Sequence, residues 1–133
     1  MEIRTRIAGI IIKDGKILML LGKGYSELWT PGGKVDNNET DEECLRRELR
    51  EEIGVNLIET KFFKEYSTYS FYHPERKMIE KVYVCKIEGA PKPDAEIQNI
   101  VWFTKNDFEN KKYPMITHTE KDLIPDLIKI GIW

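Results

Sequence analysis

An α+β fold is predicted by three observations. Two apolar runs near the start, "TRIAGIII" and "ILMLL", are separated by a turn. An acidic, amphipathic segment with good stop and start residues follows them. Further strand-like segments come after it, so strands stand on both sides of one central helix along the chain.

The first runs flank "KDGK". Asp14-Gly15 supplies the pair that tolerates positive φ in a tight turn, which predicts a β-hairpin. Both runs are almost continuously apolar, so at least one strand should be buried on both faces. "GKGYSELWTPGGKVDNN" is rich in Gly, Pro and Asn and reads as loop. Thr40 or Asp41 then suits a helix N-cap, with acids through the first turn. The helix should run to about Ile53, where Gly54 can end it. Strands are predicted at Lys61 to Tyr72 and Met78 to Ile87, with "HPER" as the turn between them. "EGAPKPDAE" is a Pro/Gly loop and "IQNIVWF" a strand. "TKNDFEN" opens on a Thr cap and suggests a short helix. "THTEKDLIPDLIKIG" reads as a closing amphipathic helix that Pro125 threatens to interrupt.

The chain has 133 residues, which fits one domain, 1–133, with a real core. Its formal charge of −2 gives no electrostatic footprint for duplex nucleic acid. Cys44 and Cys85 lie far apart and outside any CxxC spacing, which argues against a structural zinc site or a disulfide framework. A reduced, cytoplasmic setting follows as the default. Met1-Glu2-Ile3-Arg4 is not followed by a signal-type apolar core, and neither early apolar run approaches the length of a membrane span.

The segment "GGKVDNNETDEECLRRELREEIGV" concentrates acids. On a helix, Glu48, Glu51 and Glu52 share one face at i, i+3 and i+4. Leu45, Leu49 and Ile53 form an adjacent apolar stripe that can dock on a sheet. Like charges on one face repel, and partial burial worsens this. A hard divalent cation would reverse the sign, because it takes carboxylate oxygens and keeps sites for water and phosphate. The plainer alternative is a solvated helix laced by the opposite-charge pairs Glu43-Arg47 and Arg47-Glu51.

The spacing resembles the Nudix hydrolase signature, GX5EX7REUXEEXGU, where U is a bulky aliphatic residue. Gly33 begins it, Glu39 follows, then Arg47, Glu48 and Leu49, and Glu51, Glu52, Gly54 and Val55 complete it. A chance match of every constrained position is on the order of one in a million. "LWTPGGKV" is similar to the family's loop into the signature, and "IQNIVWFTKNDF" to its late strand ending in Trp before a short helix. The resemblance implies the Nudix fold, a mixed sheet sandwiched between helices, with residues of about 33–55 as a loop-helix-loop.

It also implies an activity: hydrolysis of a nucleoside diphosphate linked to another moiety, by attack of water on phosphorus. Mg²⁺ or Mn²⁺ would neutralise the phosphates and acidify a bound water. By signature position, Glu48, Glu51 and Glu52 are the expected metal ligands, with the carbonyl of Gly33 as a further one. Arg47 is expected to orient a ligand carboxylate. Glu39 and Gly54 are structural in the motif. Glu51 leads as general base. Glu96, six residues before Trp102, resembles the fourth acid of MutT-type members and is the second candidate. Lys23 and Lys34 are candidate phosphate contacts, and Trp29, Trp102 and Tyr72 candidate base contacts. His73 and His118 read as turn or surface residues, although His118 or Thr119 falls near the place where some MutT-type members carry an Asn.

A MutT-type cleavage of a nucleoside triphosphate to the monophosphate and pyrophosphate is therefore the leading expectation. A dinucleoside polyphosphate or nucleotide-sugar hydrolase is the alternative enzyme. A non-catalytic nucleotide sensor is the alternative of another class, disfavoured because all the signature acids are present. A monomer or homodimer acting on a small nucleotide, with neither membrane nor duplex as partner, is expected.

Overall fold

The two apolar runs build the middle of the molecule, because they alternate between two cores. The computed structural model describes residues 3–133; Met1 and Glu2, which open the stretch read for a leader, lie outside the described residues. The strands are β1 (Ile3–Ile10), β2 (Ile12–Lys13), β3 (Lys16–Gly22), β4 (Gly32–Lys34), β5 (Asn56–Tyr69), β6 (Lys77–Glu88) and β7 (Ile97–Phe103). The helices are α1 (Asp41–Ile53), α2 (Lys105–Glu109) and α3 (Ile124–Ile130), the last entered through a π-helical turn, Thr119–Leu123.

Strands β4, β1, β6 and β5 form one sheet in that order, and β2, β3 and β7 another. β1 and β6 are parallel, whereas β1 and β4 are antiparallel, so the larger sheet is mixed. Ile7, Ile11, Leu18 and Leu20 pack with Cys44, Leu45, Leu49 and Ile53 of α1. Their chain neighbours Ala8, Ile10, Ile17 and Met19 pack instead with Leu123, Ile124 and Leu127. The period of two thus sends alternate side chains to opposite cores, and both faces are covered by helix. This is the layered α+β arrangement expected, with the sheet divided into two.

The hairpin needs correction. Asp14 and Gly15 do take positive φ, at 53° and 75°, but the turn joins β3 only to the two-residue β2. β1 leaves that partnership and pairs with β6 and β4, because Ile7 and Ala8 must each reach a different core while their backbone joins the larger sheet. β5 also starts earlier and ends earlier than the expected Lys61 to Tyr72. Its limits follow its partner, from Asn56 opposite Glu88 to Tyr69 opposite Lys77. The pairing, which is non-local, overrode the charged start of the segment.

The signature helix matches its local signals. Thr40 caps it, its hydroxyl accepting from the Glu43 N–H while the Glu43 carboxylate accepts from the Thr40 N–H. Gly54 ends it with φ 66° and ψ 28°. Pro125 does not break the closing helix. The Ile124 N–H reaches back to the Thr119 carbonyl, and Pro125, with no N–H to give, stands in the first turn of α3. Cys44 and Cys85 are free and buried.

Candidate active site

The site is built where α1 crosses β4. Leu45, Leu49 and Ile53 are fully buried and fix the helix against the sheets, which turns the adjacent acids toward the Gly32-Gly33 backbone. The Gly32 N–H donates to Glu52 Oε1 at 2.9 Å. Gly33 lies so close to Glu48 that a Cβ there would stand 2.4 Å from its Oε1. Only glycine permits this approach of strand to carboxylate.

The three signature acids are graded in burial. Glu52 is 6 % exposed. The side chain of Glu48 is 16 % exposed and that of Glu51 55 %. Burial holds the Glu52 carboxyl up at about 8, against the Gly32 hydrogen bond and the charge of Arg6, which favour ionisation. Glu48 is also raised, first by desolvation, with Arg47 opposing. An anion made costly by burial is one that a cation stabilises.

Arg47 organises the acids around it. Its Nε donates to Glu39 Oε2 at 2.7 Å and its Nη2 to Glu39 Oε1 at 3.0 Å, a two-pronged contact. Nη1 donates to Glu48 Oε1 at 2.9 Å and stands 3.5 Å from Glu51 Oε2. Nη2 also reaches the Lys34 carbonyl at 3.2 Å. The Arg47 hydrogen bond, and then the Asp36 N–H, hold Glu39 at about 2. Of the two lacing pairs read from the sequence, Arg47-Glu51 forms. Glu43 instead caps the helix, and Glu42 pairs with Arg46 at 3.6 Å.

Glu96 arrives from the far side. The last carbonyls of α1 lack helical partners. The N–H groups of Lys92 and Asp94 meet the Ile53 and Glu52 carbonyls at 3.0 and 2.9 Å, which ties the loop "EGAPKPDAE" to the end of the helix. The Lys23 N–H then donates to the Glu96 carbonyl at 2.8 Å. Glu96 is thereby brought into a cleft of about 640 Å³ with Glu48, Glu52, Gly33 and Lys34. Trp29 and Tyr72 line the same cleft, and Tyr25 joins them, its ring centroid 5.4 Å from Trp29 and 4.9 Å from Tyr72.

Several of the residues singled out in the sequence do not line this cleft. Glu39 and Arg47 support it from behind, Gly54 ends the helix, Glu51 stands outside it, and Lys23 contributes backbone. Trp102 packs against the α1 core. His118 is corrected from a surface residue: it is buried, with Nε2 at 3.3 Å from Glu80 Oε1 and Nδ1 at 3.0 Å from Asp122 Oδ2. Thr119, named from its position in the sequence, lines the cleft. Arg6, Thr30, Met78 and Glu80 also line it and were not read from the sequence. Their signals were slight: a cation and an acid set into strands that are otherwise largely apolar at their centres.

Among the described residues, no three His, Cys, Asp or Glu side chains are already gathered as a metal cage. The oxygen donors nevertheless suit a hard cation. The buried Glu52 and the half-buried Glu48 converge on the Gly32-Gly33 backbone of β4, a third carboxylate stands one helical turn away at the rim, and Gly33 keeps the backbone open.

A family model described as NUDIX domain matches residues 3–127. The 8-oxo-dGTP diphosphatase of Haemophilus influenzae is 33 % identical over 113 residues, which cover 80 % of this chain and 80 % of that one. The 8-oxo-dGTP diphosphatase of Buchnera aphidicola subsp. Schizaphis graminum is 40 % identical over 68 residues; the match covers 48 % of this chain and spans about half of the relative, 52 %. The solved structure of a NUDIX hydrolase from Nitrosomonas europaea superposes with a TM-score of 0.81 at 19 % identity, over 96 % of this chain and 90 % of that one, a likeness of fold alone. Among the described residues no helix is long and apolar enough to cross a membrane.

Proposed function

Because the chain belongs to the NUDIX family and has its fold, we propose that it is a divalent-cation-dependent hydrolase of nucleotide phosphoanhydrides, cleaving a nucleoside triphosphate to the monophosphate and pyrophosphate. The observation that carries this reading is the meeting of Glu48, Glu52 and Glu96 in one cleft with an aromatic wall of Tyr25, Trp29 and Tyr72. Acids at one end suit cation-bridged phosphates, and a cluster of edge-on and tilted rings at the other suits a base. The names of the Haemophilus and Buchnera relatives, both of them triphosphate-cleaving enzymes, support the triphosphate. Two buried free thiols support a reduced cytoplasm as its place.

Glu48, Glu51 and Glu52, with the Gly33 carbonyl, are the groups that would hold Mg²⁺ or Mn²⁺. Such an ion supplies charge neutralisation and a more acidic water. Arg47 acts as a positioning residue: anchored on Glu39, it fixes Glu48 Oε1 and leaves the second oxygen free. Glu96 is the general base in this reading, since it lines the cleft and Glu51 does not. Water adds to phosphorus, its proton passes to the Glu96 carboxylate, and the bond to pyrophosphate breaks. Lys34 meets the departing phosphates.

The test is a panel of nucleoside triphosphates, nucleotide sugars and dinucleoside polyphosphates, assayed with Mg²⁺ and scored by the phosphate species released. Triphosphates should yield monophosphate and pyrophosphate. Faster cleavage of either other class would replace the substrate assignment, and no turnover of any would remove the enzyme.

A further inference from the structure

On the reading that the cleft takes a nucleotide, we propose that Arg6 binds the substrate directly, through the phosphate attached to the nucleoside, and that Thr30 and Glu80 hold its guanidinium for that contact. The placement comes from strand register. β1 lies between β4 and β6, with Arg6 opposite Lys34 on one side and Glu80 on the other, so the three share a sheet face. The next pairs along β4, Gly33 and Gly32, are the two residues that Glu48 and Glu52 touch. Arg6 therefore stands one step along the sheet from the acids, on the floor of the same cleft.

Its donors are divided in a telling way. Nη1 donates to Thr30 Oγ1 at 3.0 Å and to Glu80 Oε2 at 3.3 Å, and Nη2 donates to the Thr30 carbonyl at 2.6 Å. Among the described residues, Nε–H makes no hydrogen bond. Nε–H and the second Nη2 hydrogen form the parallel pair that fits two oxygens of a phosphate. A cation serving only Glu80 would be buried with it. Glu80 is 3 % exposed, yet the Arg6 side chain keeps 20 %, in the cleft.

Charge makes the same demand. Among the described residues, Glu48, Glu52, Glu80 and Glu96 face the cleft against two cations, Arg6 and Lys34. A polyanion entering there needs each cation available. Glu80 is itself backed by His118, whose Nε2 stands 3.3 Å from its Oε1 without hydrogen-bond geometry. Arg6 is thus gripped from behind at three points and left with one free edge.

The experiment is binding of the four ribonucleoside 5′-monophosphates, and of the corresponding nucleosides, to the full chain in EDTA, where no cation bridges phosphate to the acids. Arg6→Gln should weaken the bound monophosphate by about ten- to a hundredfold, the range of a charged hydrogen bond, and leave the nucleoside unchanged. Arg6→Lys, which keeps the charge without the fork, should fall between and covers the case in which Arg6→Gln does not fold. Glu80→Gln should cost the monophosphate less and again spare the nucleoside. Equal weakening of both ligands, or of neither, would return Arg6 to a purely structural role. Failure of the unaltered chain to bind any nucleotide would overturn the functional reading together with this one.

Discussion

Glu51 and Glu52 are neighbours in the chain and yet stand in different environments. The helical wheel gives the reason. With about 100° per residue, Glu52 lies about 40° from Glu48 toward the Leu49 stripe, and Glu51 about 60° from it on the other side. The stripe is pressed into the core, so Glu52 is buried and Glu51 remains at the rim. This separates two roles that the spacing alone runs together. Glu51→Gln should raise the Mg²⁺ concentration needed for half-maximal rate, with most of the rate restored at high Mg²⁺. Glu96→Gln should lower kcat by about a hundredfold or more at any Mg²⁺ concentration, as loss of a general base does, with thermal stability unchanged because the side chain is exposed. Titrations of rate against Mg²⁺ decide it, and the opposite pattern would return the base to Glu51.

At the scale of elements, two signature glycines have different physical reasons. Gly54 ends α1 with φ 66°, and a Cβ there would meet nothing within 4 Å. Gly54→Ala should therefore cost about 1 kcal/mol in urea unfolding, the left-handed backbone penalty, and keep full specific activity. Gly33→Ala places a Cβ 2.4 Å from Glu48 Oε1 and should displace that carboxylate, so activity falls much further than stability. If both variants lose activity alike, the approach of Gly33 to Glu48 is not functional. The same contrast shows what the sequence made legible. The cap at Thr40, the end at Gly54 and the buried stripe of α1 depend on residues within one or two turns, and so they could be read directly. The extent of β5, the sheet that β1 joins and the cleft floor depend on pairing between distant segments. Arg6 meets Glu80 across 74 positions, and no local pattern encodes that contact. Glu96 was legible only through its distance from Trp102. Its actual cause, a loop hydrogen-bonded to the end of α1, was not.

At the scale of the whole molecule, the site sets folding against function in a manner that pH can expose. Burial holds Glu52 at about 8, against 4.5 for an unburied glutamate. Between those values the folded chain keeps a proton that the unfolded chain has lost, so the cation-free protein loses stability as pH rises through that window. His118 adds to the same slope above its unfolded value: burial lowers it, but Glu80 and Asp122 together raise it, and the stability it contributes is lost as it deprotonates. Glu39, held at about 2, acts only at acid pH, where its contribution is lost as pH falls. If Glu52 holds the ion as proposed, a divalent cation would act on it and not on His118, because the ion needs the carboxylate ionised and neutralises the charge that burial opposes. The rise in Tm produced by Mg²⁺ should therefore be larger at pH 8 than at pH 6, where the ion must displace a proton. Glu52→Gln should flatten the cation-free curve in part, leaving the contributions of His118 and of Glu48, which burial also raises, and should reduce the pH dependence of the Mg²⁺ gain. Differential scanning calorimetry of both proteins at the two pH values, with Mg²⁺ and with EDTA, measures each term. A Mg²⁺ gain equal at both pH values in the unaltered chain would mean that Glu52 is not among the groups that hold the ion.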